Sequence, residues 1–186
     1  MLVSFPSLVL AARAGHVVSF PTDTVPALAV LPEQGAKIYA CKRRPPDKPL
    51  ILMAPTPDLF LPWIAPAPDI PWQELAQRHW PGALTIVLPA SDRVTPAINP
   101  QQTGTLGLRI PDHPLALSLL QQVGVLATTS ANLSGESPLL TAAEIHAQFP
   151  DVYVLQAENR GSGQPSTVIT WQGGRWHVLR QGTVRV

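Results

Sequence analysis

The 186-residue sequence has a single cysteine, Cys41. That excludes a disulfide framework and any metal site built from several thiolates. Charge is scarce: 13% of residues are charged and the net charge is +1, against about 25% charged in ordinary globular chains. A chain this close to neutral has no global field to draw it onto nucleic acid or a membrane surface. No apolar run in it approaches the roughly 18 residues that span a bilayer. Met1 to Gly15 is apolar in part, but it has no positive start, Pro6 interrupts it and Arg13 comes late. It reads as a short amphipathic helix rather than a signal peptide, so a cytoplasmic protein without a membrane partner is expected. There is no G-x-x-x-x-G-K-[ST] loop, no G-x-G-x-x-G opening a helix and no G-x-S-x-G elbow. His16, His79, His113, His146 and His177 lack metal-ligand spacing, so no metal ligands are assigned.

What is present describes a folded α/β chain. Hydrophobic residues make up 45%, enough for a core, and 22 prolines scattered without a PxxP array mean stiff loops. Pro6 near the start and Gly15 at the end bound a first helix. His16 to Phe20 reads as a strand and Pro32 to about Cys41 as a second helix. Leu50 to Met53 is a short buried strand, and Ala54 to Pro71 is mostly proline-rich loop with one helical turn. Then come a helix over Trp72 to Trp80, strands over Leu84 to Leu88 and Leu106 to Ile110, a helix over Pro114 to Val123 stopped by Gly124, and a strand over Val125 to Thr129. Thr141-Ala-Ala-Glu144 is a capping box that opens another helix. A strand follows at Val152 to Leu155, and Thr167 to Trp171 and Trp176 to Arg180 flank Gly173-Gly174 as a hairpin. Strands and helices alternate until the all-β end. The expectation is one domain over 1–186: a twisted open mixed sheet with flanking helices.

Five constellations could carry chemistry. Lys37, Lys42, Arg43, Arg44 and Lys48 are opposed only by Asp47. A solvated helix end explains such a cluster, but Pro45-Pro46 and Pro49 stiffen it, and rigid cations lose less entropy on binding an anion. Thr128-Thr-Ser-Ala-Asn-Leu-Ser-Gly135 follows a buried strand, where hydroxyls, an amide and backbone N–H groups suit phosphate oxygens; a plain polar turn is the alternative. Thr22, Asp23 and Thr24 lie at a strand end, where open α/β sheets gather ligands. Arg109 stands in an apolar strand and needs a partner, Asp112 being the candidate for a structural ion pair. Gly163 to Thr167 and Arg180-Gln-Gly182 read alone as hairpin punctuation. Cys41 and the tryptophans Trp72, Trp80, Trp171 and Trp176 read as packing residues.

Taken together and in order, seven strings resemble the YrdC-like family, specifically its short-form (TsaC-type) L-threonylcarbamoyl-AMP synthases. They are Phe20-Pro-Thr-Asp-Thr-Val25, Lys42-Arg-Arg-Pro-Pro-Asp-Lys-Pro-Leu50, Trp80-Pro-Gly-Ala-Leu-Thr85, Leu108-Arg-Ile-Pro-Asp-His-Pro114, Thr129-Ser-Ala-Asn-Leu-Ser-Gly135, Pro165-Ser-Thr-Val168 and Leu179-Arg-Gln-Gly182. The resemblance implies a YrdC-like sheet with a concave basic face. It implies that L-threonine, bicarbonate and ATP give threonylcarbamoyl-AMP and pyrophosphate, for threonylcarbamoyladenosine in tRNA. The family's K-x-R…S-x-N set falls on Lys42, Arg44, Ser130 and Asn132 as catalytic residues. The same four, with Thr128 and Arg180, would hold the nucleotide. Thr22, Thr24, Arg109 and Ser166 would hold threonine, Ser166 also closing the nucleotide side beside Arg180. Mg²⁺ would come with ATP, with Asp23 or Asp47 touching it through water. tRNA and a downstream threonylcarbamoyl transferase complex are the implied further partners. There are three departures from the family pattern: Pro26-Ala27 stands for Tyr-Gly, Ala83 for proline, and Met53 where some members carry histidine. A non-catalytic RNA-binding module of the same fold and a relative with altered amino-acid specificity are the alternatives.

Overall fold

Glycines and prolines chop the chain into pieces too short to be stable alone, so each strand depends on its neighbours. The computed structural model describes residues 1–158 and 161–186. Its strands are β1 (Leu2–Val3), β2 (Val18–Phe20), β3 (Ala27–Val30), β4 (Ile51–Met53), β5 (Leu84–Pro89), β6 (Thr105–Arg109), β7 (Leu126–Ser130), β8 (Tyr153–Leu155), β9 (Thr167–Gln172) and β10 (Arg175–Arg180). Among the described residues they form one ten-stranded sheet, ordered β1-β8-β2-β3-β7-β4-β6-β5-β9-β10. Parallel pairs (β1–β8, β2–β8, β4–β6, β5–β9) are interleaved with antiparallel ones. The mixed sheet with flanking helices is as expected.

The helices are α1 (Phe5–Arg13), α2 (Ala36–Lys42), α3 (Trp72–His79), α4 (Pro114–Val123) and α5 (Ala142–Gln148). Gly15 and Gly124, at φ 74° and 95°, end the helices they were expected to end. Thr141 Oγ1 accepts from the Glu144 N–H at 3.2 Å while Glu144 accepts from the Thr141 N–H at 2.9 Å, so the capping box is present. Gly173 and Gly174 both take positive φ, the conformation a two-residue hairpin requires.

Four elements differ from expectation. The helix foreseen from Pro32 to Cys41 is split into a 3₁₀ turn (Pro32–Gln34) and α2. At the break, a Cβ on Gly35 would stand 2.2 Å from the Ala97 carbonyl oxygen, so tertiary approach sets the boundary. β3 was unforeseen because all four of its residues are buried, which erases the alternation that marks a strand. Two-residue β1 was also unforeseen, and the proline-rich segment holds a longer 3₁₀ helix, Pro57–Trp63.

Successive strand residues serve opposite faces. Leu52, Ala127, Leu108 and Ile86 join Trp72 and Trp80 in one core, and Met53, Leu126 and Ala29 join α1 and α4 in another. On the strands that flank β4 and its Met53, β6 carries Arg109 and β7 carries Thr128 and Ser130, whose side chains border a hollow.

Candidate active site

The hollow is a cavity of about 150 Å³ at the middle of the sheet. Alternating residues supply its floor: Ser130 and Thr128 from β7, Ile51 and Met53 from β4, Arg109 from β6, Thr85 from β5 and Val168 from β9. Gly107 keeps the floor flat, since a Cβ there would lie 2.8 Å from Ile51 Cγ2 and 3.2 Å from Thr85 Cγ2. Thr24, Arg44, Ser166 and Arg180 close the sides.

Arg109 is fixed on three sides. Its Nε donates to Gly82 O (3.0 Å), Nη1 to Thr24 Oγ1 (2.8 Å) and Nη2 to Asp23 Oδ1 (2.6 Å). The ion-pair partner is therefore Asp23, not Asp112; Asp112 contributes its backbone N–H to the same carboxylate oxygen at 3.0 Å. Burial pulls the Arg109 guanidinium below its usual range while Asp23 opposes that, so the pair offsets the desolvation of the charge. The Thr22 hydroxyl donates to Val25 O (2.7 Å), so across the 3.0 Å hydroxyl pair Thr24 donates to Thr22. Thr24 Oγ1 then has one lone pair left, which can accept only from a ligand N–H or O–H.

Arg44 and Arg180 are anchored differently, by carbonyl groups. Arg44 donates to Lys48 O and Pro49 O, both at 2.9 Å. Arg180 donates to Ser166 O through Nε (3.1 Å) and Nη2 (2.8 Å), and Nη2 also reaches Ser166 Oγ (3.1 Å). Among the described residues neither has a carboxylate at ion-pair distance. Burial, then the charge of Arg44, pulls the Arg180 guanidinium down. Such like-charge strain is relieved by an anion.

Lys42 stands behind this wall and does not border the hollow. It is 1% exposed. Its Nζ donates to Thr129 Oγ1 and Asn132 Oδ1, each at 3.3 Å, and to Ser130 O. Burial, reinforced by Arg44, lowers its ammonium to about 7. Asn132 is also behind the wall. Its Nδ2 donates to Leu133 O and Glu136 O at 2.8 Å, and its Oδ1 accepts from Ser130 Oγ. Thr22 is fully buried beneath Thr24. The sequence-chosen set thus converges: Thr24, Arg44, Arg109, Thr128, Ser130, Ser166 and Arg180 line one cavity, with Lys42, Asn132 and Thr22 bracing it. Sequence reasoning gave Thr85 no role although it closes the Trp80–Thr85 string; its Oγ1 lies 2.8 Å from Ser166 Oγ, a pairing that only the fold brings about. The departures Pro26, Ala27 and Met53 all border the cavity.

Against known proteins, the Sua5/YciO/YrdC family model, described as telomere recombination, matches residues 11–182. The chain belongs to the Sua5/YciO/YrdC family. Threonylcarbamoyl-AMP synthase of Vibrio campbellii is 33% identical over 187 residues, which cover 96% of this chain and 99% of that protein. Threonylcarbamoyl-AMP synthase of Bacillus subtilis is 37% identical over 92% of this chain but 51% of its own length. The crystal structure of P. abyssi Sua5 complexed with L-threonine aligns with a TM-score of 0.87 and 29% identity, covering 98% of this chain and 56% of that one. The chain thus spans about half the length of the two longer family members and matches the Vibrio protein end to end.

Proposed function

We propose that this chain is an L-threonylcarbamoyladenylate synthase, a nucleotidyltransferase that converts L-threonine, bicarbonate and ATP to threonylcarbamoyl-AMP and pyrophosphate. The observation that carries this reading is one hollow lined by an arginine paired with Asp23 and, among the described residues, by two arginines that have no carboxylate at ion-pair distance. Threonine's amine and bicarbonate condense to a carbamate with loss of water. The carbamate oxygen attacks the α-phosphorus, and the bond to pyrophosphate breaks. The nucleophile is already an anion, so alignment and charge neutralisation carry the rate.

In this assignment Arg109 holds the threonine carboxylate and Thr24 Oγ1 accepts from the amine. Arg44, Arg180 and Ser166 face phosphate oxygens. Ser130 and Thr128 line the junction, with Lys42 and Asn132 fixing the turn that presents them and Thr22 fixing Thr24. Mg²⁺ enters as part of the ATP substrate. A protein-held ion does not suit these residues: Asp23 already serves Arg109 and the Asp112 N–H, and no group of three or more His, Cys, Asp or Glu forms among the described residues. The product's mixed anhydride is labile, which favours transfer to a tRNA-modifying transferase and work in the cytoplasm. No helix of the described residues is long and apolar enough to cross a membrane. A non-catalytic RNA-binding module is not favoured, because the cations converge on one small cavity instead of spreading along a face.

The test is pyrophosphate release by purified protein with Mg-ATP and bicarbonate, with and without threonine. Threonine-dependent release is expected, and its absence from folded protein overturns the reading. Arg44→Ala should lower turnover by on the order of 10²-fold.

A further inference from the structure

We infer that Thr85 is a positioning residue: its hydroxyl orients Ser166 so that the serine donates its own proton to an anionic oxygen of the bound substrate. The inference rests on the synthase reading above. Thr85 is fully buried and sits on β5, paired with Val168 of the parallel strand β9. Its Oγ1 is 2.8 Å from Ser166 Oγ, and Ser166 Oγ already accepts from Arg180 Nη2 at 3.1 Å. A hydroxyl has one proton and two lone pairs. When Thr85 donates as well, both serine lone pairs are filled and the serine proton is left for the cavity. The opposite direction would aim a serine lone pair at the anion and leave the Thr85 proton without an acceptor among the described residues. An anion between Arg44 and Arg180 therefore selects the first arrangement.

Packing fixes the geometry independently. The Thr85 methyl lies 3.2 Å from where a Gly107 Cβ would stand, so it fills the space that glycine leaves open. A β-branched side chain has few χ1 choices, and seating the methyl there sets the direction of the hydroxyl. Ser166 is held from its other side, since the neighbouring Thr167 N–H donates to Ala83 O at 3.0 Å.

The test is a double-mutant cycle on threonine-dependent pyrophosphate release with Mg-ATP and bicarbonate. Thr85→Val keeps the shape and removes the hydroxyl. It should lower kcat/KM by about tenfold, the scale of one positioned hydrogen bond. On a Ser166→Ala background the same change should have less than about a twofold effect, because the two groups act as a unit. Thr85→Ser, which keeps the hydroxyl, should recover activity to within about threefold of wild type. A Thr85→Val enzyme equal to wild type overturns the inference. So does a full, additive loss in the Ser166→Ala background. If Thr85→Val does not fold, Thr85→Ala takes its place in the same cycle, and activity equal to wild type, or a full additive loss on the Ser166→Ala background, overturns the inference. If the wild type binds ATP by calorimetry but releases no pyrophosphate, the synthase reading falls and the cycle is read on the ATP Kd instead. If it binds no ATP, both fall.

Discussion

Two corners of one cavity treat the same cation in opposite ways. Arg109 has a carboxylate at 2.6 Å, a hydroxyl and a carbonyl, and its side chain is 4% exposed. Arg44 and Arg180 are tied to carbonyl oxygens, and burial, then the charge of Arg44, depresses the Arg180 guanidinium. A paired arginine is a rigid fork whose remaining N–H groups select geometry. Two arginines with no carboxylate at ion-pair distance among the described residues leave positive charge that a polyanion fills. One corner suits a small zwitterion and the other a polyphosphate.

Breaking this contrast needs variants that separate the corners. The largest expected effect is that of Arg44→Ala with Arg180→Ala: an increase on the order of 10³ in KM for ATP, from two charged contacts of typical strength. The KM for threonine should move far less, while Arg109→Lys should do the reverse. Steady-state kinetics with each substrate varied in turn would show it; equal shifts in both constants would mean that the corners are one site.

The next effect concerns stability. Asp23→Ala strands Arg109 in the interior and should cost about 3 kcal/mol in urea unfolding, whereas Asp23→Asn keeps an acceptor for Arg109 and Asp112 and should cost less. A loss under about 1 kcal/mol for Asp23→Ala would mean that the carbonyl and hydroxyl partners suffice.

Behind both corners, Lys42 sharpens the contrast through pH. Its folded-state ammonium is held at about 7, below the ordinary lysine value. Between that point and the ordinary value the unfolded chain binds more protons, so stability rises with pH there. The Tm should therefore climb between about pH 7 and pH 9, and Lys42→Met should climb less than wild type. The Met1 amine, lowered by burial, adds a rise of the same sign, and the Cys41 thiol, pushed up to about 11 by burial, opposes it toward the upper end of the range; both proteins share these groups, so the difference between them reports Lys42. Identical slopes would show that Lys42 keeps its proton.

Arg109, Arg44 and Ser130 were legible because each broke its local pattern, the first in an apolar strand, the second ahead of Pro45-Pro46 and the third at the end of a buried strand, whereas Ser166 and Arg180 read alone as hairpin punctuation and gained a role only from the family resemblance. The helix stops, capping box and Gly-Gly hairpin were legible because one residue type suits each backbone demand. What stayed hidden depends on partners distant in sequence. Asp23 could not be told from Asp112 as the mate of Arg109 because three strands separate β2 from β6 in the sheet, and only the folded path of the loop after β2 carries Asp23 to Arg109. Thr85 shows its role only beside Ser166 and Gly107. Lys42 reads as an exposed helix end, yet its ammonium lies under the β7 turn. Fully buried β3 lost the alternation by which a strand is recognised.

The smallest prediction sets the cavity against a region built from local rules. The α5 capping box is solvent-exposed and its residues border no part of the hollow. Thr141→Ala removes the hydroxyl that caps the Glu144 N–H and should cost about 1 kcal/mol, or about 3 °C in Tm. It should leave KM for both substrates unchanged. A change in either constant would mean that α5 is coupled to the cavity, through Leu139 and its bond to Ala131 beside Ser130. That backbone link is 2.9 Å long and ties the segment before α5 to the residue next to Ser130. An unchanged pair of constants at lowered Tm would place the cap on the stability side, where local sequence alone suffices.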